Sequence, residues 1–389
     1  MAASDNAYGD KAPGVYRQEV FLKPEARLPT GVPAFVGVAD AGASDPAPAG
    51  VAVALHRRED FALRFKSAAG SFLAEAVAGF FANGGARCYV VRVAPPGDRE
   101  AALRGAFAAL NTLEDLDLVA VPDAMTLYGA GAAPEVAAVE RVQREALKHC
   151  AARGDRFALL DPLPGRTTQT VLEQRRRLTL SLAEPVGGAL YYPWLRTSEG
   201  RLVPPSGHVA GVYARTDAQA GVHKAPANAE LSGVLDLETD VGAAAQEWLN
   251  REGVNCLRAF RGRGVRVWGA RTLSRDPAWR YVNVRRLALT LRRRIEAAMT
   301  WASFEPNVPS LWVRVQRELS GHLLQLWRAG ALRGATPEQA FFVKCDAETN
   351  PPAERDAGRV VCEVGVAAEA PAEFIVLRIV RHADATTVR

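Results

Sequence analysis

Ser206 and His208 stand two residues apart in a chain of 389 residues, and a serine nucleophile beside a histidine base is the core of acyl-transfer hydrolysis. A working triad also needs an acid that orients the imidazole, and no acid stands at a defined offset from this pair. A local turn hydrogen bond is the expected role. The six histidines, His56, His149, His208, His223, His322 and His382, include no His-x-x-x-His or His-Glu-x-x-His spacing, so a zinc site has no ligand set. Asp123 and Asp161 end two predicted strands, where doubly wound folds place their ligands. No Gly-x-Gly-x-x-Gly or Walker loop joins a strand to its helix. Each aspartate also adjoins a proline, which makes turn initiation the expected role. No catalytic, cofactor-binding or metal-binding residue is assigned.

Five cysteines, Cys88, Cys150, Cys256, Cys345 and Cys362, form no Cys-x-x-Cys pair, and an odd, scattered set predicts buried thiols rather than a disulfide framework. Net charge is only +5, yet residues 251–333 hold 17 arginines and no lysine against 5 acids. Arg261-Gly-Arg-Gly264 raises nucleic-acid binding, but nucleic-acid surfaces mix lysine with arginine or add exposed aromatics, and the tryptophans here sit at core-like spacings. Arginine without lysine suits bidentate pairing with carboxylates across protein interfaces. Arg292, Arg293, Arg314, Arg317 and Arg328 are the candidate interface charges, with no nucleic acid expected as a partner. No apolar run approaches the roughly 20 residues of a membrane helix, and Met1-Ala-Ala-Ser-Asp-Asn lacks signal-peptide regions, so a cytoplasmic chain without direct membrane insertion is expected.

The elements that position these residues alternate. Strands are predicted at 34–39, 87–93, 116–121 and 157–160, and helices at 71–82, 99–110, 135–153 and 169–182. That order predicts an α/β body with a largely parallel sheet and covering helices. In 281–299, Leu287, Leu291, Ile295 and Ala298 share one helical face, and Pro306 and Pro309 then break the chain. A second helix over 310–329 buries Leu311, Val315, Leu319, Leu323 and Leu326 or Trp327, and stops at Gly330. Two β-prone runs lie at the termini. In one, Val15, Arg17, Glu19 and Phe21 take one face and Tyr16, Gln18 and Val20 the other; the second is Phe374-Ile-Val-Leu-Arg-Ile-Val380. Neither has an obvious neighbour, so each reads as a loose tail or as an arm that adds to a sheet elsewhere.

Gly207-His-Val-Ala-Gly-Val-Tyr-Ala-Arg-Thr-Asp217, followed by Lys224-Ala-Pro-Ala-Asn228, resembles the contractile tail sheath family. Its His208-Val-Ala-Gly211 also looks like a subtilisin-type histidine segment, but the Gly-Thr-Ser-Met-Ala nucleophile run of that family is missing. Further sheath-like blocks follow in order: 249–255, 262–274, 279–287, Phe304-Glu-Pro-Asn307 and 340–346. Ala12-Pro-Gly-Val-Tyr16, Ala34-Phe-Val-Gly37 and Pro371-Ala-Glu-Phe-Ile375 resemble the family's N-terminal arm, first core strand and C-terminal arm.

The resemblance implies a non-enzymatic subunit of a phage tail or phage-like extracellular injection system, with one chain of a type VI-like sheath as the alternative. It further implies assembly in stacked rings or a helical sheath around an inner tube, with baseplate and terminal cap proteins as further partners. The chain would act first in the producing bacterium's cytoplasm and then in the released particle. The implied layout is an N-terminal arm and connector (1–31), an α/β body (32–240, most variable over about 40–190), a tube-facing α+β domain (241–370) and a C-terminal arm (371–389). The inter-subunit arm strands would be Val15, Tyr16, Arg17, Gln18, Glu19 and Val20, and Phe374, Ile375, Val376, Leu377, Arg378 and Ile379.

Overall fold

The computed structural model describes residues 28–42, 46–93, 99–127, 135–180 and 182–368, together with the backbone of 375–382 and 385–388. Val15–Val20 and Phe374 lie outside the described residues. β1 (Pro33–Ala41), β2 (Ala52–Leu55), α1 (Asp60–Arg64), β3 (Phe65–Ser67), α2 (Leu73–Ala82), β4 (Cys88–Val93) and α3 (Arg99–Leu110) come first. β5 (Leu118–Ala120), α4 (Val136–Arg153), β6 (Phe157–Leu160) and α5 (Thr168–Thr179) continue the alternation. Next are β7 (Gly188–Tyr192), β8 (Leu195–Thr197), β9 (Leu202–Val203), α6 (Ser206–Ala220), β10 (Ala229–Glu230), β11 (Val234–Leu237), α7 (Ala243–Arg251), β12 (Val254–Phe260) and β13 (Gly264–Trp268). The last part holds α8 (Val282–Ala298), α9 (Pro309–Arg328), α10 (Pro337–Ala340), β14 (Phe341–Lys344), α11 (Pro352–Asp356), β15 (Val360–Val366), β16 (Ile375–His382) and β17 (Ala385–Val388).

The main sheet runs β10-β13-β12-β7-β6-β5-β1-β4-β2, with β3 on β1. From β12 to β4 neighbouring strands are parallel, and β2, β3, β10 and β13 join antiparallel at the flanks. Both faces are covered, as a parallel sheet requires. In β1, Ala34 and Val36 point into the core under α3, α4 and α5, while Phe35 points into the core under α2 and α6. β6 splits likewise, Ala158 and Leu160 to one side and Phe157 and Leu159 to the other. Helix connections between parallel strands leave no edge inside this array.

α8 contributes to two cores. Val282 and Leu289 are buried with α2 and α6 in the body, whereas Val284, Leu287, Leu291 and Ile295 are buried with α9, β14 and β15. Two apolar stripes on one helix bind the α+β C-terminal part to the body. α9 buries Leu311, Val315, Leu319 and Leu323 as its periodicity predicts.

The β12–β13 hairpin belongs to the main sheet, so a boundary at 240 falls inside the body, and the division lies between Trp268 and α8. Arg261-Gly-Arg-Gly264 is the turn of that hairpin, with Gly262 and Gly264 at φ 72° and 70°, a backbone that glycine adopts without strain. The C-terminal β run has a partner in its own chain: β16 lies antiparallel on β15, from Val366 opposite Ile375 to Val360 opposite Arg381, and β17 folds back on β16. The expectation of a strand beyond all partners arose because β15 was not recognised as a strand.

The helix packing behind the sheet is unusually close where α2 meets α6. A Cβ at Gly207 would lie 2.4 Å from the Ala76 backbone, and one at Gly211 2.4 Å from the Phe80 carbonyl oxygen, while Gly79 makes room for the His208 ring. Gly321, in the middle of α9, has open space where its Cβ would be. Gly207→Ala is expected to destabilise the chain by about 1–3 kcal/mol through overpacking, and Gly321→Ala to stabilise it by about 0.5–1 kcal/mol through helix propensity. Urea denaturation midpoints of the two variants should move in opposite directions, and similar shifts would refute the close-packing account.

Candidate functional site

The residue that holds most of this architecture together is Arg286, on the body side of α8 one turn beyond Val282. Its guanidinium donates to both oxygens of Asp217 at 2.8 and 2.6 Å and to Asp117 Oδ2 at 2.7 Å. All three side chains are buried. Asp217 lies in the last turn of the motif helix α6 and Asp117 immediately precedes β5, so one cation joins α8, α6 and the sheet. Burial opposes the charge of Arg286, but the two carboxylates, Asp217 above all, raise its pKa beyond the ordinary arginine value. Burial also pushes the Asp217 carboxyl upward; the two donors placed on its two oxygens nonetheless require the ionised form. The Arg286 guanidinium covers the Tyr213 ring at 4.8 Å, and Tyr213 shares a 2.7 Å hydroxyl hydrogen bond with Tyr191 of β7.

The same joint holds the root of the N-terminal segment. Asp117 accepts the backbone N–H of Gly31 at 3.0 Å and of Val32 at 2.7 Å. Two turns further along α8, buried Arg293 donates to the Pro29 carbonyl at 3.3 Å and the Glu114 carbonyl at 3.0 Å. Val282, Arg286, Leu289 and Arg293 thus form a single body-facing stripe at helical spacing.

Of the five arginines singled out as interface charges, Arg293 is therefore internal. Arg292 is half-buried and bonds Glu296 at 2.9 Å. Arg314 is exposed and stacks over Trp301 at 3.9 Å, and Arg317 and Arg328 are exposed on α9. The structure does not gather these five on one surface. Arg286 is not among the sequence candidates, because its carboxylate partners stand 69 and 169 positions away and leave no local signal.

The other sequence candidates are absorbed as buried ties. Asp161, whose carboxyl burial pushes up to about 7, accepts Ser206 N–H at 2.7 Å and Ser206 O–H at 2.6 Å, joining β6 to the start of α6. Asp123, pushed up to about 6 by burial, accepts from Val38 N, Phe72 N and Ser71 Oγ, tying β1 to the start of α2. Both do more than initiate turns. The Ser206 hydroxyl is directed to Asp161, and His208 Nδ1 has no hydrogen-bond partner, so the two do not form the local bond expected of them. Asn228 adopts φ 55°, its N–H bonds the Val267 carbonyl at 2.7 Å, and its carbonyl accepts from Arg266 at 2.7 Å, which steers the chain into β10. Asn307 bonds the Arg359 carbonyl and the Trp312 indole, each at 2.8 Å, while neighbouring Phe304 is 99% exposed at φ 66°. All five cysteines are buried free thiols. Among the described residues there is no group of three or more His, Cys, Asp or Glu able to hold a metal ion, and no helix long and apolar enough to cross a membrane.

Comparison with known proteins gives this arrangement a family. The model of the phage tail sheath central domain matches residues 105–273, and that of the phage tail sheath C-terminal domain matches residues 274–381. A subunit of the anti-feeding prophage (AFP) helical sheath in its contracted state is 32% identical, with a TM-score of 0.72 over 94% of this chain and 98% of that one. This chain belongs to the contractile tail sheath family. A sheath chain of the extracellular contractile injection system PVC, also contracted, is 31% identical, with a TM-score of 0.69 over 94% of this chain and 96% of that one. The tail sheath protein of Vibrio phage KVP40 is 28% identical over 184 residues, which are 46% of this chain and 26% of the phage protein. The match thus spans about a quarter of that relative. The junction between the two family models, at 273/274, falls in the link between β13 and α8.

Removing one partner of a buried ion pair leaves the other charges uncompensated, at a cost of about 3–5 kcal/mol. Arg286→Met should lose that much in urea unfolding, and adding Asp117→Asn and Asp217→Asn should recover part of it; a cost below 1 kcal/mol would remove the joint from its central role. A second expectation concerns pH. Burial drives the His208 imidazole down to about 4 from 6.5, so below 6.5 the unfolded state takes up the proton first. The stability tied to neutral His208 is complete above pH 6.5 and lost as pH falls towards 4, up to about 3 kcal/mol. Denaturation midpoints at pH 7 and pH 5 should therefore differ less in His208→Gln than in the parent, and equal differences would reject the assignment.

Proposed function

We propose that this chain is the structural, non-enzymatic subunit of a contractile sheath that polymerises around an inner tube and shortens to drive the tube through a target envelope. The observation that carries the reading is the near end-to-end similarity to sheath chains of AFP and PVC at 31–32% identity. Coverage of 96–98% of those chains, against 26% of the phage KVP40 sheath, favours an extracellular injection system. The partners under this reading are further copies of the chain, an inner tube, a baseplate and a terminal cap. The chain would assemble in the producing cell and then be carried in the released particle.

The physical role of the joint follows. Neighbours in such a lattice are linked by terminal arms, Val15–Val20 at one end and the β16 run at the other, through strand addition. A pull on the N-terminal arm reaches the body at Pro29–Val32, where Arg293 and Asp117 hold the chain. From there Arg286 passes it to α8, which carries the C-terminal core. Exposed Arg314, Arg317 and Arg328 remain for an acidic neighbour or the tube. Electron microscopy of the chain co-produced with its tube protein tests the reading: full-length protein should form regular sheath. Removal of residues 1–22 or 371–389 should leave folded particles without sheath, since each arm strand supplies several backbone hydrogen bonds at roughly 1 kcal/mol net apiece. Full-length protein that yields only dispersed particles would reject the sheath assignment, and truncated chains that still form tubes would reject the arms.

A further inference from the structure

Two of the five thiols are neighbours. β14 and β15 pair antiparallel, with Val343 opposite Val364 and Lys344 opposite Glu363, and one step further the same register sets Cys345 against Cys362. Side chains alternate across a strand, so both cysteines fall on the face of Val343 and Val364, and all four are buried in the C-terminal core. The two thiols shift each other's ionisation, Cys345 downward and Cys362 upward. Directly opposed residues of an antiparallel pair have Cα atoms about 4.5 or 5.5 Å apart, and both values suit a disulfide, which needs roughly 4.4–6.8 Å. Cys88, Cys150 and Cys256 lie in the body, on β4, α4 and β12.

We propose that Cys345 and Cys362 are a peroxide-responsive pair that closes into a cross-strand disulfide and locks β14 to β15. Cys345 is the attacking sulfur. The Cys362 S–H holds it below the usual thiol range, and the Asn350 side-chain N–H, 3.8 Å from Cys345 Sγ, acts in the same direction against the cost of burial. Cys362 is pushed up, by Cys345 first and by burial second, so it keeps its proton until the second step. The Cys345 thiolate attacks one peroxide oxygen, the O–O bond breaks, and a sulfenic acid and hydroxide result. Cys362 sulfur then displaces the sulfenic oxygen, its own proton leaving with that oxygen as water. Two thiols are oxidised by two electrons, and one hydrogen peroxide is reduced to two waters. Among the described residues β14 is an edge strand that pairs with β15 alone, and Cys345, itself buried, stands just past its end. The lock fixes β15, the strand on which β16 lies, with Cys362 itself opposite Ile379.

The test is hydrogen peroxide added to the folded full-length chain, followed by alkylation in denaturant and peptide mass spectrometry. Two of the five thiols should disappear together, a Cys345–Cys362 linked peptide should form before any change at Cys88, Cys150 or Cys256, and dithiothreitol should restore all five. The oxidised chain should melt at a higher temperature than the reduced one. In Cys362→Ser, Cys345 should instead be trapped by dimedone as a sulfenic acid without a link. Five intact thiols at a peroxide dose that consumes free cysteine, or first oxidation at one of the body cysteines, would overturn the proposal.

Discussion

A guanidinium removed from water must be surrounded by acceptors or it costs several kcal/mol, and the arrangement of Asp117 and Asp217 around Arg286 is the constraint on which the rest of this chain depends. Each carboxylate has other obligations: Asp117 holds the backbone entering β1, and Asp217 belongs to the last turn of a helix that is packed against α2 too closely to slide. The cation can be satisfied only when the sheet, α6 and α8 are in register together. Apolar packing supplies most of the stability, but it tolerates small displacements. A three-way charge contact at 2.6–2.8 Å does not.

This explains what many of the matched blocks do. Gly207 and Gly211 permit the α2–α6 approach, Tyr213 lies beneath Arg286, Asp217 accepts from it, Asn228 turns the chain into β10, and Asn307 pins the start of α9. Residue types that look catalytic in a linear reading are positional in three dimensions. Ser206, which with a histidine two residues away invites a hydrolase reading, is an anchor for the carboxylate that ends β6.

Much of the fold was legible because period and punctuation agree. β1, β4 and β6 are apolar runs, α3, α4 and α9 carry stripes at three- and four-residue spacing, and Pro122, Pro162 and Gly330 stop the segments. α6 was legible only as a motif. It is buried on nearly every side, so no polar face marks its period, and its glycines argue against a helix. The second stripe of α8 is hidden in sequence because two of its four members are arginines, Arg286 with acids 69 and 169 positions away and Arg293 with backbone carbonyls as partners. β15 was overlooked beside the more apolar final run, and without it that run had no partner. The boundary at 240 that the resemblance implies falls inside the body, because β12 and β13 belong to the body by pairing.

The seating of β16 on β15 of its own chain, over seven facing positions, bears on how unassembled subunits survive. An exposed strand edge is a template for indiscriminate aggregation, and a sheath subunit must reach high concentration before it polymerises. Here the chain covers the β15 edge with its own strand. If a neighbour's strand later takes the same place, the bonds broken and made are alike in kind and number, so the exchange is close to thermoneutral and proximity alone decides the partner. Under such an exchange dilute chains would stay closed, and a second copy held alongside at a growing end would open them one at a time.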